Sequence, residues 1–249
     1  MKKQVLLLVC VLLLVVSVVV MAFTFGNKTK VATKRATAGF AVVELFTSEG
    51  CSSCPPADAA IEKLLAENNP DVFILSFHVD YWNRLGWQDP FSSVAFSDRQ
   101  RSYARRFSLN GVYTPQVVVN GASEFVGSDA AKLHAAVNTA LQNKIASNIN
   151  ITAKRSGNSV TVTYQAAGAL LNIAVVEPEE TVEVKRGENG GRTLHHVNIV
   201  RALQTVDATA NGNFTINLPP ALAAAPLQVI AYTQAKEAGI ITGAVRQML

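Results

Sequence analysis

The sequence predicts an α/β domain over residues 39–146, a central mixed sheet with flanking helices, followed by an all-β antiparallel sandwich-like domain over 147–249. Three observations carry that reading. The first half alternates strand-length apolar runs with helical patterns. The second half offers roughly eight short strands parted by Gly, Pro and Asn, with no helical period. Between the first strand and the first helix stands a CxxC, Cys51-Ser52-Ser53-Cys54.

Ahead of both domains lies a run, Val5 to Phe23, that is apolar except for Ser17 and is preceded by Lys2 and Lys3. At 1.5 Å per residue it reaches about 28 Å, enough for a bilayer core. Residues 1–25 are read as a signal anchor or a signal peptide, with Val20-Met21-Ala22 as the small-residue cleavage site. Residues 26–38 are polar and basic and read as a linker. The formal charge of +4 resides in this leader: residues 1–38 hold six Lys or Arg and no acid, so the remainder has 16 basic against 18 acidic side chains. That balance excludes a nucleic-acid footprint. The expected location is the outer face of the cytoplasmic membrane, or outside the cell if the leader is removed.

Phe40 to Phe46 is the first strand and Ala57 to Glu67 the first helix, with Pro55-Pro56 tolerated in its first turn. Asp71 to Asp80 is a near-continuous apolar run, as in a strand covered on both faces. Residues 81–97 are an aromatic-rich insertion broken by Gly86 and Pro90. Asp98 to Ser108 is helical, with Arg99 to Arg106 as a solvated basic face. Val112 to Asn120 is a strand interrupted at Pro115, turned at Asn120-Gly121 and returned as Ser123 to Val126. Ser128 caps the third helix. From Ser147 the hairpin around Ser156-Gly157-Asn158 opens the series of short strands.

Of three cysteines, Cys10 lies in the apolar leader, which leaves one close pair in the exported body. A stapled exported scaffold spreads several pairs along the chain, so one close pair points to thiol chemistry. Cys51 is the attacking thiol and the more exposed sulfur; Cys54 resolves the mixed disulfide. No basic residue lies between Ala41 and Ile61, and Glu49 is two positions from Cys51. A carboxylate disfavours a thiolate, so the couple is expected to be moderately reducing or isomerase-like. His78 and Asp80 close the second strand at the sheet's carboxyl edge, where a copper or zinc site from Cys51, Cys54 and His78 is the alternative. A hydrogen-bonded His78 that positions the insertion is the plainer reading. Trp82 and Trp87 read as packing residues. His195 and His196 fall on opposite faces of a strand.

CxxC opening the first helix and Thr114-Pro115 opening the third strand resemble the thioredoxin superfamily. Longer phrases, ELFTSEGCSSCPPAD, FHVDYWNRLGWQDPFSSVAFSDRQRSYARR, VYTPQVVVNG and RGENGGRTLHHVNIVR, resemble the bacterial secreted family catalogued as domain of unknown function 1223. The resemblance implies a thioredoxin-like first domain, a cis peptide before Pro115 beside the sulfurs, and a Thr114 main chain open to substrate. It also implies that Glu44, on the strand before the CxxC, is a buried proton-exchanging carboxylate, and that the Gly187–Arg192 loop contacts the other domain. The expected function is an exported, membrane-tethered thiol-disulfide oxidoreductase, reductase or isomerase-like. It would act on protein or small thiols with a separate redox partner and with no cofactor beyond its redox-active disulfide. A non-catalytic envelope binding module is the third reading.

Overall fold

In the computed structural model, which describes residues 32–33, 39–145, 149–167, 170–208 and 211–249, strand β2 (Ala41–Thr47) is buried along its whole length. Alternation sends its side chains to two cores. Val42 and Phe46 join one cluster with Phe73, Leu75 and Phe77 of β3 (Val72–His78). Val43 and Leu45 join another with Val72 and Ile74. Helices α1 (Pro55–Ala66) and α3 (Ala130–Gln142) cover the second cluster through Ile61, Leu64, Leu133 and Val137. Helix α2 (Val94–Arg106) covers the first through Phe96 and Tyr103.

Strands β4 (Gln116–Val119) and β5 (Ser123–Val126) follow as the expected hairpin, with Asn120 and Gly121 at φ 50° and 60°. The second half contributes β6 (Ile149–Ser156), β7 (Ser159–Ala166), β8 (Leu170–Glu183), β9 (Thr193–Asp207), β10 (Gly212–Asn217), β11 (Gln228–Gln234) and β12 (Ile241–Met248). A two-residue strand, β1 (Ala32–Thr33), pairs with β6. The β1-β6-β7-β10 sheet packs Ile151, Val160 and Val162 against Ile173 and Val229 of β8 and β11.

The expected fold class is corrected here. An α/β thioredoxin-like domain followed by a separate all-β sandwich-like domain is not what the chain forms. Eight strands make one mixed sheet in the order β12-β11-β8-β9-β3-β2-β4-β5, so strands from both halves are neighbours. Residues Val31–Leu249 accordingly make one compact unit. The join is a short parallel contact, Ser76 opposite Ile199. Side chains reinforce it: Ser76 Oγ donates to the Val197 carbonyl at 2.7 Å, and Asn198 Nδ2 donates to the Ile74 carbonyl at 3.2 Å. Nothing local to β3 announces a partner more than a hundred residues away.

Smaller corrections have local causes. Asp129, not Ser128, caps α3, accepting from the Lys132 N–H. The short strands expected at Leu170–Val176 and Thr181–Lys185 merge into β8, whose pairing with β9 runs from Glu177–Ile199 to Glu179–Val197 across Pro178. Arg99 is buried rather than solvated, because its guanidinium pairs with Glu44. Among the described residues no helix is long and apolar enough to cross a membrane. The apolar leader, residues 1–25, lies outside the described residues.

Candidate functional site

The turn between β2 and α1 carries the two cysteines, joined as a disulfide with Cα atoms 5.4 Å apart. Cys51 N–H donates to the Ser48 carbonyl and Cys54 N–H to the Cys51 carbonyl. The prolines delay the helix: Cys54 is its N-cap and Pro55-Pro56 its first residues. The Ala57 and Asp58 N–H groups are consumed by the Cys54 carbonyl, at 2.8 and 3.1 Å. The positive end of the helix therefore faces Cys54 more than Cys51. Both cysteines are fully buried, which corrects the expectation of an exposed Cys51, while Ser52 and Ser53 are exposed.

Thr114 and Pro115 stand beside this turn, joined by a cis peptide. Ser53 Oγ donates to the Thr114 carbonyl at 3.4 Å and lies 3.4 Å from Cys51 Sγ. Trp82 Nε1 donates to Thr114 Oγ1 at 2.8 Å, so the aromatic insertion helps fix that corner.

Glu44 is not among these groups. It lies at an even position of β2, on the sheet face opposite α1, and is fully buried. Arg99 Nε donates to its Oε1 at 2.6 Å and the Tyr103 hydroxyl to its Oε2. The Arg99 guanidinium also lies over the rings of Phe77, Tyr103 and Tyr232. Glu44 is thus half of a core ion pair, held by α2 and β11.

Other ionisable groups gather beneath the cysteine turn instead. His78, at the end of β3, places Nδ1 2.7 Å from Asp89 Oδ2. Asp89 Oδ2 also accepts the Glu49 N–H, and Oδ1 the Phe91 N–H. Burial works against the Asp89 charge, yet His78 and these N–H donors hold its carboxyl below the usual range. The His78 ring meets His196 of β9 edge-on, with centroids 4.7 Å apart. His196 Nε2 lies 3.4 Å from Glu49 Oε1, and Trp87 Nε1 donates to Glu49 Oε2 at 2.6 Å. Glu49 Oε1, His78 Nε2 and both His196 nitrogens are buried without a hydrogen-bond partner. Leaving such atoms unpaired costs on the order of 1–3 kcal/mol each.

Asp58 completes the group, one helical turn beyond Cys54 on the same face. Thr47 Oγ1 donates to its Oδ1 at 2.9 Å. Burial pushes its carboxyl up to about 6, opposed by His196 and the Thr47 bond and aided by Asp89 and Glu49. His195, by contrast, points outward toward Glu62 and Glu179.

The β8–β9 loop closes over the turn. Asn189 Nδ2 donates to the Glu49 carbonyl at 2.8 Å and the Cys51 carbonyl at 2.9 Å. Glu188 Oε2 accepts the Ser52 N–H at 3.1 Å and the Ser52 hydroxyl at 2.7 Å. Asp58 and Asp89 carried no signal in the sequence, while Glu188, Asn189 and His196 fell in named segments, the Gly187–Arg192 loop and the His195-His196 pair, without being tied to the cysteines. The phrase RGENGGRTLHH contained three of them, but its contact with the turn needs the long-range β3–β9 join. As for the ligand set Cys51, Cys54 and His78, the two sulfurs are bonded to each other and His78 Nδ1 faces Asp89. Among the described residues no three His, Cys, Asp or Glu side chains stand together in a metal-holding group.

Comparison with known proteins follows the same lines. A family model described as Protein of unknown function (DUF1223) matches residues 42–234. The crystal structure of Protein AGR_C_4864 from Agrobacterium tumefaciens is 32% identical, covering 87% of this chain and 96% of that one, with a TM-score of 0.61. HBP35 of Porphyromonas gingivalis is 18% identical over 87% of this chain and 77% of that one, at a TM-score of 0.54, and shares the fold alone. No curated protein matches the chain.

Proposed function

Because the chain belongs to the family described as Protein of unknown function (DUF1223), a name that fixes no reaction, we propose from its site that it is a thiol-disulfide exchange protein working through Cys51 and Cys54. The observation that carries this reading is the pairing of a short-loop disulfide with a buried nest of acid–base groups. Closing a four-residue loop limits the unfolded chain by only about 2 kcal/mol in the chain-entropy account, so stapling is a weak reason for the bond. Buried ionisable groups beside it, with Asp58 displaced upward chiefly by burial and Asp89 held down by His78, are what exchange chemistry calls for.

A substrate dithiol supplies the thiolate, which attacks Cys51 Sγ. The Cys51–Cys54 bond breaks and its electron pair leaves on Cys54 Sγ at the start of α1. Asp58, one turn along, gives that sulfur its proton and becomes a carboxylate. The second substrate thiol, giving its proton to the Asp58 carboxylate, then attacks the mixed disulfide, and Cys51 leaves as a thiolate. The substrate ends as a disulfide and the protein as a thiol–thiolate pair; the reverse sequence reduces a substrate disulfide. We place this activity outside the cytoplasmic membrane, tethered by the N-terminal segment, with protein or small thiols as substrates and a separate redox partner.

Dithiothreitol-coupled reduction of insulin by the full chain in mild detergent tests the proposal, with Cys51→Ser as control. Turnover that vanishes in the variant is expected; equal rates overturn the reading. The complete burial of both sulfurs favours one competitor, a non-catalytic envelope module with a structural disulfide. A bond that resists millimolar dithiothreitol in the native protein would support that competitor.

A further inference from the structure

We infer that the loop Gly187–Gly191 is a gate over the cysteine turn and that Asn189 is the positioning residue that holds it shut. The inference rests on the exchange reading, since a gate matters only if a thiol must reach Cys51. Burial of the disulfide is not achieved by the turn itself, whose two middle residues are exposed. Residues almost 140 positions later are tied to this turn. Asn189 is fully buried, and its single amide bridges the carbonyls of Glu49 and Cys51. Arg192 Nη1 donates to Asn189 Oδ1 at 2.9 Å, which fixes the amide so that its N–H groups face the turn. Glu188 adds two bonds to Ser52 from the solvent side.

The loop is built to move as a unit. Gly187 and Gly191 sit at φ 76° and 84°, conformations that glycine adopts without penalty. Between them the Gly190 N–H returns to the Gly187 carbonyl, and at the base Val184 N–H donates to the Arg192 carbonyl. Its internal bonds therefore survive lifting. What breaks is the clasp: two bonds from Asn189 and two to Glu188, all between groups that water satisfies once they part. Gly187 also lies against Trp87, where an added Cβ would stand 3.3 Å from the Trp87 Cβ, so even a methyl crowds the closed position.

A closed gate makes reduction of the disulfide depend on a local opening step. The test follows reduction of the full chain's own disulfide by dithiothreitol, read by alkylation and mass shift. The variants are Asn189→Ala and Asn189→Asp, the latter of equal shape but without the donated N–H groups. Losing two donated bonds is expected to speed reduction about 10–50-fold in Asn189→Ala. Asn189→Asp is expected to follow it. Glu188→Gln, at an exposed position that does not threaten folding, is expected to speed reduction by roughly 2–5-fold. Near-ultraviolet circular dichroism confirms that each variant is folded; if Asn189→Ala is not, Glu188→Gln decides.

Rates within twofold of wild type in Asn189→Ala, or in Glu188→Gln where it decides, overturn the gate. So does Asn189→Asp reducing at the wild-type rate, because packing alone would then hold the loop. Insulin turnover is a separate readout: if it is absent while the rate differences stand, the exchange reading fails and the gate does not.

Discussion

Replacing Asp58 with Asn tests the acid–base nest most directly. In the folded protein the Asp58 carboxyl is raised from 3.8 to about 6, chiefly by burial. The native state thus holds a proton more tightly than the unfolded chain does. Below about pH 4 both states carry it and the group is neutral in both. As pH rises through 6 the native state must ionise an enclosed carboxyl, and stability is lost. A shift of roughly two units at 1.36 kcal/mol each is near 3 kcal/mol; some solvent contact reduces this to about 2 kcal/mol above pH 7. Asn keeps an acceptor for Thr47 Oγ1 and carries no charge. Asp58→Asn should therefore exceed wild type by about 2 kcal/mol at pH 8 and by nearly nothing at pH 4, measured by urea unfolding at both. The same gap at both pH values, or a variant weaker at pH 8, would refute the reasoning. Dithiothreitol reduction at pH 6 should also slow several-fold, since Cys54 loses its proton donor.

Arg99→Ala leaves Glu44 buried without its cation and should cost about 3–5 kcal/mol in denaturant unfolding. Pairing Glu44→Gln with Arg99→Met should recover most of that, and neither change should alter the rate of disulfide reduction. Converting both Cys51 and Cys54 to Ser should lower stability by about 2 kcal/mol for the lost cross-link, plus about 1–3 kcal/mol for each buried hydroxyl left unpaired, while abolishing exchange. Gly121→Ala should destabilise by 2 kcal/mol or more on the order-of-magnitude scale of strained backbone, because its φ is 60° and a Cβ would meet the Gly239 carbonyl at 2.1 Å. Gly86→Ala, at φ 97° in open space, should cost only about 1 kcal/mol. Thermal melts of the two side by side separate clash from backbone preference.

Local signals were legible where local physics decides. The run Phe40–Phe46, the Pro55-Pro56 helix start and the Asn120-Gly121 turn all lie where period and turn chemistry place them. The CxxC turn and Thr114-Pro115, some sixty residues apart, lie side by side as the resemblance implied, with Ser53 Oγ on the Thr114 carbonyl. Glu44 misled because a carboxylate in a strand says nothing of which face it takes. Its cation, Arg99, sat in a run of arginines that reads as a wet helix face. The nest under the cysteines was illegible for a different reason: Glu49, Asp58, Asp89, His78 and His196 come from five segments. Only the Ser76–Ile199 join brings the last of them in.

That join has a consequence for anyone cutting the gene. A fragment ending near residue 145 would retain the cysteines and the proline yet bare the long side of β3, a flat apolar strand inviting stray chains to add to it. It would also strip away the imidazole of His196 and the amide of Asn189 that ties down the Glu49 and Cys51 carbonyls. The smallest piece able to report on the native thiols therefore runs on through β11 and β12, which pair beyond β8 and share the core of Phe46 and Phe77.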